Sequence, residues 1–141
     1  MTTNTATGSH TVLHRLHQAI NDHDLDAIVA CFSLDYRNDT PAHPARSFTG
    51  RDQVHRNWTQ ILAAVPDLAA VLVGSNADDG TVWAEWDWSG TRAGVTPLRM
   101  RGVTIFGIED DAIARARFYM EPVDEDGADV DTAVRAQVGP R

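Results

Sequence analysis

The chain has 141 residues, of which 43% are hydrophobic, and a formal net charge of −8. This length is typical of one domain with its own core, and the negative charge argues against nucleic acid or an anionic membrane surface as a partner. All basic residues are arginines, so chemistry that requires a lysine, such as Schiff-base formation or a phosphate-binding P-loop, is excluded.

The single cysteine, Cys31, excludes a disulfide framework and a cysteine metal cluster. No apolar run approaches the roughly 20 residues of a membrane helix, and the first residues lack the basic-then-apolar order of a signal peptide. We therefore expect a cytoplasmic protein.

The first third of the chain predicts two helices behind a tail. Residues 1–10 are small and polar, which is typical of a disordered tail. Thr11–Asn21 has apolar residues at the spacing i, i+3, i+4 and i+7 of an amphipathic helix. A second helix follows Asp24, a predicted N-cap, repeats this spacing as far as Phe32 and ends near Ser33–Asp35. A short extended piece at Tyr36–Asn38 comes next.

The middle of the chain predicts a third helix and the first strand of a sheet. The helix begins near Arg51–Asp52, has Trp58 on its apolar face and is stopped by Pro66. Leu68–Gly74 is predicted to be a strand. The acidic residues 124–141 form a predicted C-terminal tail with one short helix.

Three segments in the second half, residues 82–91, 98–108 and 112–121, alternate between apolar and charged residues. Because side chains alternate across a strand, we predict neighbouring antiparallel strands with one aromatic and one ionic face. The aromatic face has the even positions Val82, Ala84, Trp86, Trp88, Met100, Gly102, Thr104, Phe106, Ala114, Ala116, Phe118 and Met120. The order of helices and then strands indicates an α+β fold in which the helices cover this face and leave a cone-shaped cavity.

Several segments resemble the nuclear transport factor 2-like superfamily. Val12–Phe32 reads VLHRLHQAINDHDLDAIVACF, and its second half is similar to the helix junction of ketosteroid isomerases and SnoaL-like polyketide cyclases. Further similarity is found at Phe48–Arg51 (FTGR), Arg101–Phe106 (RGVTIF) and Ile113–Glu121. The resemblance implies a domain over residues 11–123. Its fold would be a cone-shaped α+β barrel, with three N-terminal helices packed on a strongly curved, mostly antiparallel sheet around an apolar cavity.

The chemistry of ketosteroid isomerases is not carried over by this resemblance. Their tyrosine, aspartate base and aspartic acid would fall on Leu16, Thr40 and approximately Thr104. None of these side chains can abstract a carbon-bound proton.

Limonene-type epoxide hydrolases provide a partial match. Their water-holding tyrosine and asparagine correspond to Tyr36 and Asn38, before Pro41. Their Asp–Arg–Asp relay would fall on Trp86, Trp88 and Phe118, so the acid and base of epoxide opening are missing.

The candidate site combines polar and apolar positions of the predicted cavity. Tyr36 and Asn38 are catalytic candidates, although they could instead satisfy nearby backbone groups. His17 is the third, since its ordinary pKa suits acid-base chemistry, but a satisfied core histidine is the alternative. The predicted ligand-binding residues are Leu16, Trp58, Trp86, Trp88, Thr104 and Phe118, and the tryptophans could equally fill the core.

We expect no metal, because the histidines lack the spacing of known sites, and no cofactor. The resemblance implies a SnoaL-like enzyme of secondary metabolism. It would use acid-base catalysis on a hydrophobic polycyclic or terpenoid substrate, as a cyclase, isomerase or hydrolase. A binding protein for a small hydrophobic molecule and an accessory protein that pairs through its sheet are the alternatives. A homodimer is expected, since the outer sheet face often forms dimers in this superfamily.

Overall fold

The computed structural model describes residues 5–139. Four α-helices are present in this part of the chain: α1 (Thr5–Asn21), α2 (Leu25–Ala30), α3 (Arg51–Ala64) and α4 (Val130–Val138). The strands are β1 (Phe32–Asp39), β2 (Phe48–Thr49), β3 (Ala69–Asp78), β4 (Thr81–Arg92), β5 (Thr96–Glu109) and β6 (Ala112–Pro122). A short 3₁₀ turn, Pro44–Arg46, precedes β2. None of the described helices is both long and apolar enough to cross a membrane.

The strands form one sheet in the order β2-β1-β6-β5-β4-β3. β1 runs parallel to β6 and every other neighbouring pair is antiparallel. The α+β class predicted from the sequence is confirmed. The sheet is open, with β2 and β3 at its two ends, and is therefore not closed into a barrel.

The predicted alternation is confirmed by the register of the three long strands. Ala84 lies opposite Thr104, which lies opposite Phe118 on β6. In the next inward row, Trp86 is opposite Gly102. The even positions of β4 from Val82 to Trp88 are buried, whereas Trp83 and Glu85 between them are exposed. A single aromatic face therefore extends across β4, β5 and β6.

Helices α1 and α3 cover the aromatic face of the sheet. α1 packs on β3 and β4, while α3 packs on β1 and α2. The buried side chains of α1 include Leu13, Leu16 and Ile20, and those of α3 are Val54 and Trp58. These apolar helix faces and the inner sheet face form one hydrophobic core.

Several element boundaries differ from the sequence-based prediction. α1 begins at Thr5, so residues 5–10 are helical and not a tail, because the buried Ser9 continues its packed face; residues 1–4 lie outside the described residues. The second helix ends at Ala30, because Phe32 pairs with Ile113 of β6 and belongs to β1. β3 extends to Asp78 instead of Gly74.

The cap predicted for α2 is present, and α4 has a cap of the same kind. The Asp24 side chain accepts a hydrogen bond from the backbone N–H of Ala27 at 3.1 Å and caps α2. Asp129 accepts from Thr132 at 2.9 Å and caps α4. The Thr132 N–H holds the pKa of Asp129 below its ordinary value, because the hydrogen bond stabilises the carboxylate.

Candidate functional site

A pocket of about 440 Å³ lies between the helices and the inner sheet face. Such a volume is within the range of small-molecule sites, about 300–1,000 Å³. The sequence-predicted side chains that line it are Leu16, Tyr36, Asn38, Trp58, Trp86, Trp88, Thr104 and Phe118. Four strands and two helices thus bring the predicted aromatic and polar positions to one place.

His17 is the exception among the predicted site residues and does not line the pocket. Its Nε2 atom lies 2.8 Å from the carbonyl oxygen of Ala70 on β3, and its ring packs edge-on against Trp86. The helix turns this ring toward β3, where it docks α1, so the alternative of a satisfied core histidine describes it. His17 is therefore removed from the candidate acid-base groups.

A buried hydrogen-bonded chain runs along β1 into the following loop. The Tyr36 hydroxyl donates to Asn38 Oδ1 at 2.9 Å, and Asn38 Nδ2 donates to Thr40 Oγ1 at 3.1 Å. All three side chains are buried and line the pocket. Residues two apart on a strand share a face, and this explains why the chain forms locally.

Burial sets the protonation state of Tyr36. Removal of the phenol from water raises its pKa far above the ordinary value of about 10, and the nearby Asp39 charge raises it further. Tyr36 is therefore a neutral phenol at physiological pH and does not act as a base. Its oxygen lone pairs remain available to a ligand.

The tryptophans form the apolar wall of the pocket, and Trp86 and Trp88 differ in whether the indole N–H is hydrogen-bonded. Trp86 Nε1 donates to Thr104 Oγ1 at 2.9 Å, across the β4–β5 pair. Trp88 packs against both Trp86 and Trp58, with ring centroids 5.9 Å and 5.6 Å away. Its Nε1 atom is buried and has no hydrogen-bond partner among the described residues. An unpaired buried donor costs free energy, so a ligand acceptor at this atom would be stabilising.

Sequence reasoning missed several lining residues. The additional lining residues are Ile20, Phe32, Thr40, Arg46, Phe48, Val54, Asn57, Gln60, Ile61, Met100, Phe106 and Met120. Strand parity could have identified Met100, Phe106 and Met120, because all three are even positions of the aromatic face. Arg46 carried no such signal, since it lies in an irregular loop.

The polar groups outside the pocket form local pairs. His43 Nε2 lies 2.7 Å from Glu121 Oε1, and Arg37 donates to Asp39 at 3.3 Å. Glu121 and Asp39 do not line the pocket. On the outer sheet face Asp87 contacts Arg99 at 3.2 Å and Arg101 at 3.4 Å. The hydrogen bond from Arg99 is the main reason why the pKa of Asp87 is below its ordinary value.

The chemistry available in the pocket follows from its lining. Within the described residues, no Asp, Glu, His or Cys lines it, and Arg46 carries its only formal charge. No group of three such side chains in this part of the chain could hold a metal ion either. The lining can exclude water, stack against rings and form neutral hydrogen bonds, but it offers no side chain that takes up a proton at neutral pH.

Comparisons with known proteins agree with this fold. The model of the SnoaL-like domain matches residues 13–116. No curated protein matches the sequence.

Several solved structures have the same fold. The candidate polyketide cyclase IdmH from Streptomyces antibioticus superposes with a TM-score of 0.69 at 18% identity, covering 80% of this chain and 91% of that one. A candidate ketosteroid isomerase from Kribbella flavida has a TM-score of 0.70 at 15% identity, with 96% and 90% covered. An LEH-like epoxide hydrolase from M. tuberculosis has a TM-score of 0.72 at 14% identity, covering 84% of this chain and 86% of that one. At these identities the likeness establishes the fold alone.

Proposed function

Because this chain belongs to the family of SnoaL-like domains, we propose that its pocket binds a small hydrophobic molecule, polycyclic or terpenoid, with at least one oxygen substituent. The observation that carries this proposal is the lining itself: three tryptophans surround a volume of about 440 Å³ that contains only neutral hydrogen-bonding groups and one arginine. Flat aromatic walls favour rigid ring systems. The Tyr36–Asn38–Thr40 chain and the Trp86–Thr104 pair provide fixed partners for an oxygen atom.

Tryptophan fluorescence tests this binding function. Trp58, Trp86 and Trp88 line the pocket, whereas Trp83 is on the outer face, so a Trp83→Phe protein leaves only pocket reporters. We would titrate polycyclic and terpenoid ketones and alcohols, each beside the hydrocarbon of the same skeleton. The oxygenated compounds should quench or shift the emission saturably and bind more tightly than the hydrocarbons.

Tyr36→Phe and Tyr119→Phe are matched variants for this titration. The Tyr36 oxygen can only accept from a ligand, since its proton goes to Asn38. Tyr36→Phe should therefore weaken the alcohols about threefold to tenfold, the value of one hydrogen bond, and leave the hydrocarbons unchanged. Tyr119→Phe removes a hydroxyl from the outer face and should change nothing. If no compound in either class binds to the wild-type protein, the binding function is wrong.

Catalysis on the bound molecule is the second candidate function. The Tyr36–Asn38 pair, which matches the water-holding residues of limonene-type epoxide hydrolases, favours it. Acid-base catalysis by a side chain is not supported, since none in the lining takes up a proton. A cyclase, isomerase or hydrolase reaction would instead depend on folding the substrate and on polarising an oxygen with neutral donors.

Turnover of bound ligands separates the two candidates. Each ligand found by fluorescence is incubated with the protein, and products are sought by chromatography with mass spectrometry. An enzyme should give a product that the Tyr36→Phe or Asn38→Ala variant forms more slowly. Tight binding without product for every ligand would leave the binding function and reject the enzyme.

We also propose that the chain is a cytoplasmic homodimer. The outer face of the sheet presents exposed apolar side chains, among them Val71, Val73, Trp83 and Tyr119. These exposed apolar side chains are the proposed contact of the dimer.

A further inference from the structure

Arg46 is the one charged residue of the pocket lining, and its charge is unmatched. It lies in the Pro44–Arg46 turn and is exposed, so it stands where the pocket opens to solvent. Within the described residues its guanidinium makes no ion pair and no side-chain hydrogen bond. Arg37, Arg99 and Arg101 each contact a carboxylate. The chain has 20 acidic and 12 basic residues, yet no carboxylate of the described residues lines the pocket beside Arg46. The Arg46 guanidinium is therefore available to bind an anionic ligand.

The neutral polar groups of the lining have mostly donor capacity left. Asn38 Oδ1 already accepts from Tyr36, while Asn38 Nδ2 donates one of its two protons to Thr40. Asn57 Oδ1 accepts from Gln53 at 2.8 Å, which leaves the Asn57 amide protons free. Both amides therefore have N–H protons left to donate to a ligand.

Two further donors lie on the inner sheet face. Thr104 Oγ1 accepts the Trp86 N–H, so the Thr104 hydroxyl proton is free to be donated. Trp88 Nε1 is buried and has no partner in the part of the chain that the structure describes. Apart from the Tyr36 oxygen, these groups offer donors, so a ligand that complements them presents acceptor oxygens.

We propose that the pocket binds an amphiphilic carboxylic acid, whose apolar body lies among the tryptophans with carbonyl or ether oxygens toward the N–H donors, and whose carboxylate is held by Arg46 at the opening. This inference rests on the proposed binding function and specifies its ligand class. A carboxylate matches the planar guanidinium with two parallel hydrogen bonds and a single charge. A dianionic group would bring surplus negative charge to a protein that already carries −8.

Ligand series that differ only in the head group test this proposal. The probes are dehydroabietic acid, its methyl ester and the corresponding alcohol, with 1-pyrenebutyric acid, its methyl ester and 1-pyrenebutanol as a second, flat skeleton. Dissociation constants are measured by tryptophan fluorescence and calorimetry at low and high salt. The acid should bind about tenfold more tightly than its ester and alcohol, and this preference should shrink with salt.

Arg46→Gln should bring the acid to the affinity of the ester and leave the ester unchanged. Arg37→Gln is the matched control, because it removes the same charge from an arginine that does not line the pocket, and it should keep the preference. Arg46 and Arg37 are both exposed, so both variants should unfold at the wild-type temperature.

The outcomes distinguish the two levels of the argument. Equal binding of acid, ester and alcohol, or an unchanged preference in Arg46→Gln, overturns the carboxylate proposal while the binding function stands. No binding of any probe of either skeleton overturns the binding function, and the carboxylate proposal with it.

Discussion

At the scale of single residues, the pocket lining formed by the described residues is neutral except for Arg46. Trp86, Trp88 and Phe118 form its apolar wall. Tyr36 is buried in the same wall and keeps its proton because the phenolate would be poorly solvated there. The raised pKa of Tyr36 thus follows from its burial among these apolar side chains.

The raised pKa of Tyr36 makes stability depend on alkaline pH. Above about pH 10 an unfolded chain releases the phenol proton while the folded chain retains it, so the free energy of unfolding falls as pH rises. Wild type should lose up to about 1.4 kcal/mol per pH unit more than Tyr36→Phe in this range. Urea unfolding from pH 7 to pH 11.5 measures it. Tyr119→Phe should keep the extra slope, and parallel curves for wild type and Tyr36→Phe would contradict the prediction.

The Trp86–Thr104 hydrogen bond predicts the cost of losing one buried acceptor. Thr104→Val keeps the shape of the side chain but leaves Trp86 Nε1 unpaired, which should cost about 1–3 kcal/mol of unfolding free energy. Thr96→Val at the exposed start of the same strand should stay within about 0.5 kcal/mol of wild type. A double-mutant cycle with Trp86→Phe should show that the two losses are not additive. Additive losses would mean that the bond contributes nothing.

At the scale of elements, the inner face depends on how closely β5 and β6 approach each other. Gly102 has a φ of +154°, and a Cβ atom at this position would lie 2.7 Å from Cα of Met120 and would clash with the Tyr119 carbonyl oxygen. Only glycine allows this conformation and contact without displacement of β6. Since Phe118 and Met120 line the pocket from β6, the glycine also helps to position the wall.

Alanine substitution of two strand glycines tests this close approach. Gly102→Ala should destabilise the protein by at least about 1 kcal/mol, because the new Cβ meets backbone atoms and the backbone is strained. Gly74→Ala is the matched control, since a Cβ on this β3 residue meets nothing within 4 Å, and it should be neutral or slightly stabilising. Chemical denaturation of both variants provides the comparison. Equal effects of the two substitutions would contradict the packing argument.

At the scale of the whole molecule, the two faces of one sheet have different tasks. The inner face is covered by α1 and α3 and forms the pocket, whereas the outer face combines the Asp87–Arg99–Arg101 pairs with exposed apolar side chains. Trp83 is 53% exposed and is the largest of these. Covering this face by a second copy would remove it from water.

The homodimer proposal predicts a dependence on Trp83. Wild type should sediment as a dimer, and Trp83→Arg should shift it toward the monomer, because the substitution puts an unpaired charge into the apolar contact. Val95→Arg, in the exposed β4–β5 turn, adds the same charge elsewhere and should leave the dimer intact. Analytical ultracentrifugation of the three proteins is the measurement. A wild-type monomer at all concentrations would reject the homodimer.

Periodicity along the chain was sufficient for the class of fold and most of the wall. Alternation in β4, β5 and β6 predicted which side chains share the inner face, and Trp86, Trp88, Thr104 and Phe118 all line the pocket. Side-chain direction in a strand depends only on position along the backbone, so it is encoded locally. The same holds for the Tyr36–Asn38 pair, whose spacing of two residues puts both on one face.

Contacts between distant segments decided the rest. Whether His17 meets the pocket or β3 depends on how α1 rotates against the sheet, and the carbonyl of Ala70, 53 residues away, turns its ring to β3. Phe32 continues a helical pattern, but pairing with Ile113 makes it a strand residue. Arg46 enters the lining from a turn without periodicity. The sequence by itself determined which residues share a face, because that follows from backbone geometry. Only the tertiary structure decided which charge stands at the opening, because that depends on packing between elements far apart in the chain.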